Sequence, residues 1–133
     1  MILRIDQSAD EPIYMQIRNG IVAAIASGQL VAGDRLPSVR QLASDLGINL
    51  HTVNKSYAIL RDEGYVLMRG RSGALVADAA QAASAERRAS AEFELEAQLR
   101  KLALEYKARG GGAQAFLGFA EKAVEDVFEK EAR

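Results

Sequence analysis

Three small groups of residues in this chain have the types and spacing to contact nucleic acid. The stretch Asn49-Leu-His-Thr-Val-Asn-Lys55 places amide, imidazole, hydroxyl and ammonium groups within two helical turns, with Arg40 shortly before it and Arg69-Gly-Arg71 after it. An α-helix fits the major groove of B-DNA, and the residues of its first turns reach base edges. On a helix opening at Asn49, the positions Val53, Ser56, Tyr57 and Leu60 share one face. Leu50, His51, Thr52, Asn54 and Lys55 then point outward. Asn54 and His51 can hydrogen-bond base edges, Thr52 a base or a phosphate, and Lys55 a phosphate. An outward Leu50 adds nothing to a core, yet it can touch a thymine methyl. Arg40 can reach a phosphate or a guanine edge. Backbone N–H groups at a helix start near Ser38 offer a further phosphate site. Arg69 and Arg71, on either side of Gly70, suit a narrow groove.

Other chemistries find little support. The chain has no Cys, which removes disulfides, thiol nucleophiles and Cys-bound zinc, and its one His argues against a transition-metal site. There is no phosphate loop, no nucleophile elbow and no recognisable pair of carboxylates, so neither an enzyme nor a cofactor is expected. The opening MILRIDQSADEP meets acids at once, unlike a signal peptide. No stretch approaches the roughly 20 apolar residues that span a bilayer. A cytoplasmic protein without a membrane partner is expected.

The candidate contacts need elements to hold them. Met1–Ile5 is short and apolar and reads as a strand. Pro12 suits the first position of a helix, followed by Ile13, Ile17, Ile21 and Ile25 at every fourth residue with Ala24 beside them; Gly28 ends it. Ser38-Val-Arg-Gln41 has the form of a capping box, and Val39, Leu42, Ala43 and Leu46 form one face before Gly47 stops the helix. Asn49 caps the next helix and Gly64 ends it. The period then falls to two, Val66 and Met68 alternating with Leu67 and Arg69, before a Gly70–Gly73 turn and a returning strand at Ala74–Ala77. Two short helices joined around Gly47, followed by a hairpin, make a winged helix-turn-helix of α+β class.

Past Asp78 the character changes to Ala, Glu, Lys and Arg. The division expected is a winged helix over 1–78 and a helical region over 79–133. Residues 79–109 read as one helix with Leu95, Leu99, Leu102 and Tyr106 spaced 4, 3 and 4, broken by Gly110-Gly-Gly112. A second helix follows with Phe116, Phe119, Ala120, Ala123, Val124, Val127 and Phe128 at helical intervals. A two-helix hairpin cannot cover two such stripes alone, so Leu95, Leu99, Leu102, Tyr106, Phe116, Phe119, Val124, Val127 and Phe128 are expected to form a homodimer interface in a four-helix assembly. A hairpin of this kind has little room for a pocket, and no effector is named by the sequence.

Pro12-Ile-Tyr-Met-Gln-Ile17, Ile25-Ala-Ser-Gly-Gln-Leu30 and Gly33-Asp-Arg-Leu-Pro-Ser-Val-Arg40 resemble the GntR family of bacterial transcription regulators. Gln41-Leu-Ala-Ser-Asp-Leu-Gly-Ile48, Asn49–Tyr57 and Leu60-Arg-Asp-Glu-Gly64 continue the resemblance through Ala77. The opening block and the short C-terminal part resemble the YtrA subfamily, whose members dimerise through two helices. The resemblance implies contacts with a double-stranded operator at Arg40, Asn49, Leu50, His51, Thr52, Asn54 and the Arg69-Gly70-Arg71 wing. It also implies a sequence-specific regulator, most simply a repressor, acting as a homodimer on a palindrome. Leu50 stands where many members have Pro or Arg, and Asn54 where many have Arg, so a divergent operator is expected. The alternative is a winged helix used only for protein contacts, which would not need Arg40, Asn54 and the wing arginines so arranged. The net charge of −1 hides a local excess of base. Within 34–76 the basic residues Arg35, Arg40, Lys55, Arg61, Arg69 and Arg71 outnumber Asp34, Asp45, Asp62 and Glu63.

Overall fold

Pro12, held extended at φ −58° and ψ 147°, caps α1 (Ile13–Ala26) from one position before it rather than opening it. Its carbonyl accepts from the N–H groups of Met15 and Gln16. In the computed structural model, which describes residues 3–70, 73–78 and 85–128, the chain divides into two compact units, Met1–Ala82 and Ala83–Arg133.

In the first unit, α1 buries Ile17, Ile21 and Ala24, with Ile13 and Ile25 at the margin of the same core. Helices α2 (Val39–Leu46) and α3 (Leu50–Asp62) bring Leu42, Ala43, Val53, Tyr57 and Leu60 to that core. Strands β1 (Val66–Met68) and β2 (Ala74–Val76) pair antiparallel with Val66 opposite Val76 and Met68 opposite Ala74. Arg35 adds a single bridge to Leu75 on the other side of β2. The Leu36 N–H donates to the Ala74 carbonyl at 2.9 Å and the Val76 N–H to that of Asp34 at 2.8 Å. The loop ahead of α2 is thereby stitched to the wing.

Polar groups lock the helices in register. The fully buried Ser56 hydroxyl donates to the Tyr14 carbonyl at 2.7 Å, joining α3 to α1. The Tyr57 hydroxyl donates to the Pro37 carbonyl at 2.7 Å, joining α3 to the entrance of α2. Arg18 on α1 grips Glu63 through two parallel bonds of 2.9 and 3.0 Å and lies 5.4 Å over the Tyr65 ring. Among the described residues no buried side-chain polar atom lacks a partner, as a rigid scaffold requires.

One local expectation needs correction. Residues 3–5 are not a strand. Leu3 and Ile5 do pack against the core, and the backbone that follows, from Asp6, bonds to a helix side chain instead of a sheet edge. Gln16 accepts from the Asp6 N–H at 2.8 Å and donates to the carbonyls of Asp6 and Glu11. Leu3 sits over Gly20, where any Cβ would collide with it. Met68 is 45% exposed, although Ala74 opposite it on β2 is buried.

The second unit is a helical hairpin, α4 (Ala85–Ala108) and α5 (Ala113–Val127); the expected start of the first helix at 79 falls outside the described residues. Gly110 at φ +94° turns the chain, its N–H bonding the Lys107 carbonyl while that of Gly111 bonds Tyr106. This paired closure is a Schellman motif. Tyr106 meets Phe116 and Phe119 with ring centroids 6.0 and 6.1 Å apart, beside an open groove of about 340 Å³ that Leu102, Glu105 and Arg109 also line. The apolar residues are largely uncovered: Leu95, Leu99, Val124, Val127 and Phe128, and even Leu102 and Phe119 at this corner, are all exposed. Among the described residues no helix is long and apolar enough to cross a membrane.

Candidate nucleic-acid interface

The entry to α2 is fixed by Ser38, whose hydroxyl accepts from the Gln41 N–H at 3.0 Å. The expected reciprocal arm of a capping box does not form. The Gln41 amide instead donates to Asp45 one turn on, at 2.7 Å. Arg40, in the first turn, is exposed, and its guanidinium forms no ion pair among the described residues.

The turn between α2 and α3 sets the angle at which α3 is presented. Gly47 adopts φ +66° and ψ +37°, a left-handed conformation that costs an L side chain roughly 1–2 kcal/mol. The Ile48 N–H bonds the Ala43 carbonyl and the Gly47 N–H that of Ser44. Asn49 then caps α3, its side-chain oxygen accepting from the His51 N–H at 2.8 Å. That oxygen is committed to the helix start, which leaves the Asn49 amide nitrogen for an outside partner.

The cap fixes the rotation of α3. Val53, Ser56, Tyr57 and Leu60 are buried. His51, Asn54 and Lys55 are exposed, Thr52 is half-buried, and Leu50 is 38% exposed. Lys55 is not a free chain end: its ammonium lies 4.0 Å from the centre of the Tyr14 ring, a cation–π contact. Sequence reasoning missed Tyr14, because Tyr14 and Lys55 sit on helices separated by some forty residues and no spacing rule links them. The same holds for Arg18 and Glu63, found together only once α1 crosses α3.

Charge favours an anionic partner along this edge. Residues 46–61 contain no Asp or Glu. The flanking acids are engaged, Asp45 with Gln41, Asp62 with Arg61 and Glu63 with Arg18. At the wing, Arg69 and Gly70 are exposed. Gly70 takes φ +54°, and the Arg69 N–H closes the turn onto the Gly73 carbonyl at 2.9 Å. Arg71 lies outside the described residues. The arrangement is thus a pre-formed, exposed helix end carrying neutral donors and a cation, flanked by two arginine-bearing segments.

Comparison with known proteins agrees with this geometry. The model of "Bacterial regulatory proteins, gntR family" matches residues 13–76, from the first turn of α1 to the last residue of β2. The chain is 38% identical over 89 residues to the HTH-type transcriptional regulator Rv1152 of Mycobacterium tuberculosis, covering 63% of this chain and 74% of the relative. It is 39% identical over 71 residues to the HTH-type transcriptional repressor YtrA of Bacillus subtilis, covering 53% and 55%. The solved structure of YtrA from Sulfolobus acidocaldarius, a GntR-family transcription factor, is 38% identical and superposes with a TM-score of 0.55 over 74% of this chain and 98% of that one. On these matches the chain belongs to the GntR family of bacterial regulatory proteins.

Proposed function

We propose that the protein is a sequence-specific DNA-binding regulator of transcription that acts as a homodimeric repressor on a palindromic operator. The observation that carries this reading is the orientation of α3. Its buried face is completed by Val53, Ser56, Tyr57 and Leu60, leaving Leu50, His51, Asn54 and Lys55 outward on its first two turns. In this reading α3 lies in the major groove, where Asn54 and His51 meet base edges and Leu50 a thymine methyl. Ser38, Arg40, Asn49, Thr52 and Lys55 bind the backbone or adjacent bases, and Arg69, Gly70 and Arg71 enter the minor groove. The resemblance to the Bacillus YtrA repressor supports the sign of regulation.

The dimer follows from the second unit. Stripes that expose Leu95, Leu99, Leu102, Phe119, Val124, Val127 and Phe128 exceed what a monomer leaves to water. A second copy covers them as a four-helix assembly, Tyr106 and Phe116 forming the corner of each hairpin. Two-fold pairing then spaces two copies of α3 about 34 Å apart, one turn of DNA. Such a regulator works beside the chromosome in the cytoplasm. A mobility-shift titration on the DNA upstream of its own gene tests the reading; a folded dimer that shifts no fragment of that DNA at moderate salt contradicts it.

A further inference from the structure

The 4-3-4 spacing that marks the dimer stripe runs along α4 twice. Leu95, Leu99, Leu102 and Tyr106 form one register, and Phe93, Ala97, Arg100 and Leu104 repeat it two residues earlier. At 3.6 residues per turn, an offset of two residues is about 200°, so the second register lies on the opposite side of the helix. The first side is the one that faces α5, since Leu102 and Tyr106 line the groove with Phe116 and Phe119. Phe93 and Leu104 therefore point away from the hairpin, 72% and 63% exposed. With Ala97 they make a second, narrower apolar strip on α4, bordered by Arg100, beyond the single apolar side that a helix of one four-helix dimer needs.

The charges beside this second face say what covers it. Glu96 lies on one flank of the face with Arg100, and Glu94 lies on the other with Lys101. All four are exposed, and none forms an ion pair among the described residues. When two such helices pack antiparallel about a two-fold axis beside Gln98, like flanks meet. Phe93 then faces Leu104 of the second copy, Glu96 faces its Arg100, and Glu94 faces its Lys101, each level to within about one residue. One register satisfies the apolar and the ionic partners together, and the small Ala97 at its centre lets the helices approach closely. A parallel pairing joins only Glu96 to Lys101 of the second copy, and leaves Glu94 and Arg100 unmatched.

We propose that the Phe93–Leu104 face of α4 is a second self-association surface, on which two dimers join antiparallel into a tetramer that can hold two operators at once. The inference rests on the dimer reading above. The face is narrow, so the tetramer forms in the micromolar range, below the stability of an interface of about 1,600 Å².

The absence of native cysteine makes a clean test possible. Full-length chains carrying Phe93→Cys or Leu104→Cys are purified separately, mixed in equal amounts and oxidised with a disulfide reagent. The proposal expects cross-linked dimers from the mixture and few from either chain alone, because facing residues fall within disulfide reach and the two copies of residue 93 lie many ångströms apart. Self-cross-linking of each chain by itself, or no cross-link in the mixture, overturns it. Sedimentation separates this from the dimer itself. The expected result is a wild type that passes from dimer to tetramer on concentration, and a Phe93→Glu/Leu104→Glu chain that stays dimeric. A wild type that remains dimeric throughout overturns the inference and leaves the dimer intact. A Phe93→Glu/Leu104→Glu chain that is monomeric overturns it by making this face the dimer contact.

Discussion

At the scale of single residues, interface and core separate cleanly on α3, and each side can be tested without disturbing the other. Arg40 is exposed and forms no ion pair among the described residues, so on the proposed reading Arg40→Ala removes a contact to DNA and no ion pair of the fold. Operator binding is expected to weaken by about 1–3 kcal/mol if that contact is to a base, with an unchanged thermal unfolding curve and unchanged sedimentation. Tyr57 behaves in the opposite way. Its hydroxyl holds the Pro37 carbonyl at 2.7 Å, and Tyr57→Phe is expected to lower unfolding stability by about 1 kcal/mol in urea titrations. Burial pushes the Tyr57 phenol well above its ordinary value, because the charged form is poorly solvated there. Below about pH 10 both states keep the proton and the contribution is fully present. Above it the unfolded chain ionises first, so stability falls as pH rises toward the folded-state value. Wild type is therefore expected to lose stability in this alkaline window faster than Tyr57→Phe.

At the scale of elements, periodicity carried most of the information. The buried positions of α1, α2 and α3 follow from spacing alone, because a helix packed on one side must repeat near 3.6. The glycine stops at Gly47, Gly64 and Gly110 were legible too, since each takes a positive φ that few other residues tolerate. Gly47→Ala tests this at the turn that aims α3, with an expected cost of roughly 1–2 kcal/mol in a melting experiment. What spacing did not reveal were contacts between distant segments. Gln16 fastening Asp6, Arg35 bridging to Leu75 and Lys55 resting on Tyr14 all join residues with no periodic relation. The same blindness explains the error at 3–5, where a short apolar run docks on α1 without a strand partner. The half-formed capping box at Ser38 shows a further limit: the motif names a glutamine but not which of two neighbours that glutamine chooses.

At the scale of the whole molecule, the chain combines a well-packed first unit with a second whose apolar residues are almost all uncovered. That contrast carries the assembly prediction. Leu99→Glu/Leu102→Glu is expected to leave the winged helix folded, as judged by the melting of its core, while producing monomers in sedimentation. Operator affinity then falls steeply, because two half-sites are no longer bound as one unit. The net charge of −1 sets a second property of the whole chain. On the proposed reading few cations face the DNA in each protomer, so affinity is expected to fall with salt on a shallow slope, about one phosphate's worth per contacting Lys or Arg.

The most direct measurement is a nuclease footprint of the full-length protein on the DNA upstream of its own gene, at moderate salt, with wild type and Arg40→Ala compared. The account predicts two protected half-sites of related inverted sequence, centred about one helical turn apart, with protection shifted to higher concentration by Arg40→Ala. Uniform weak protection that ignores sequence and is unaffected by Arg40→Ala, obtained with a folded dimer, would contradict it.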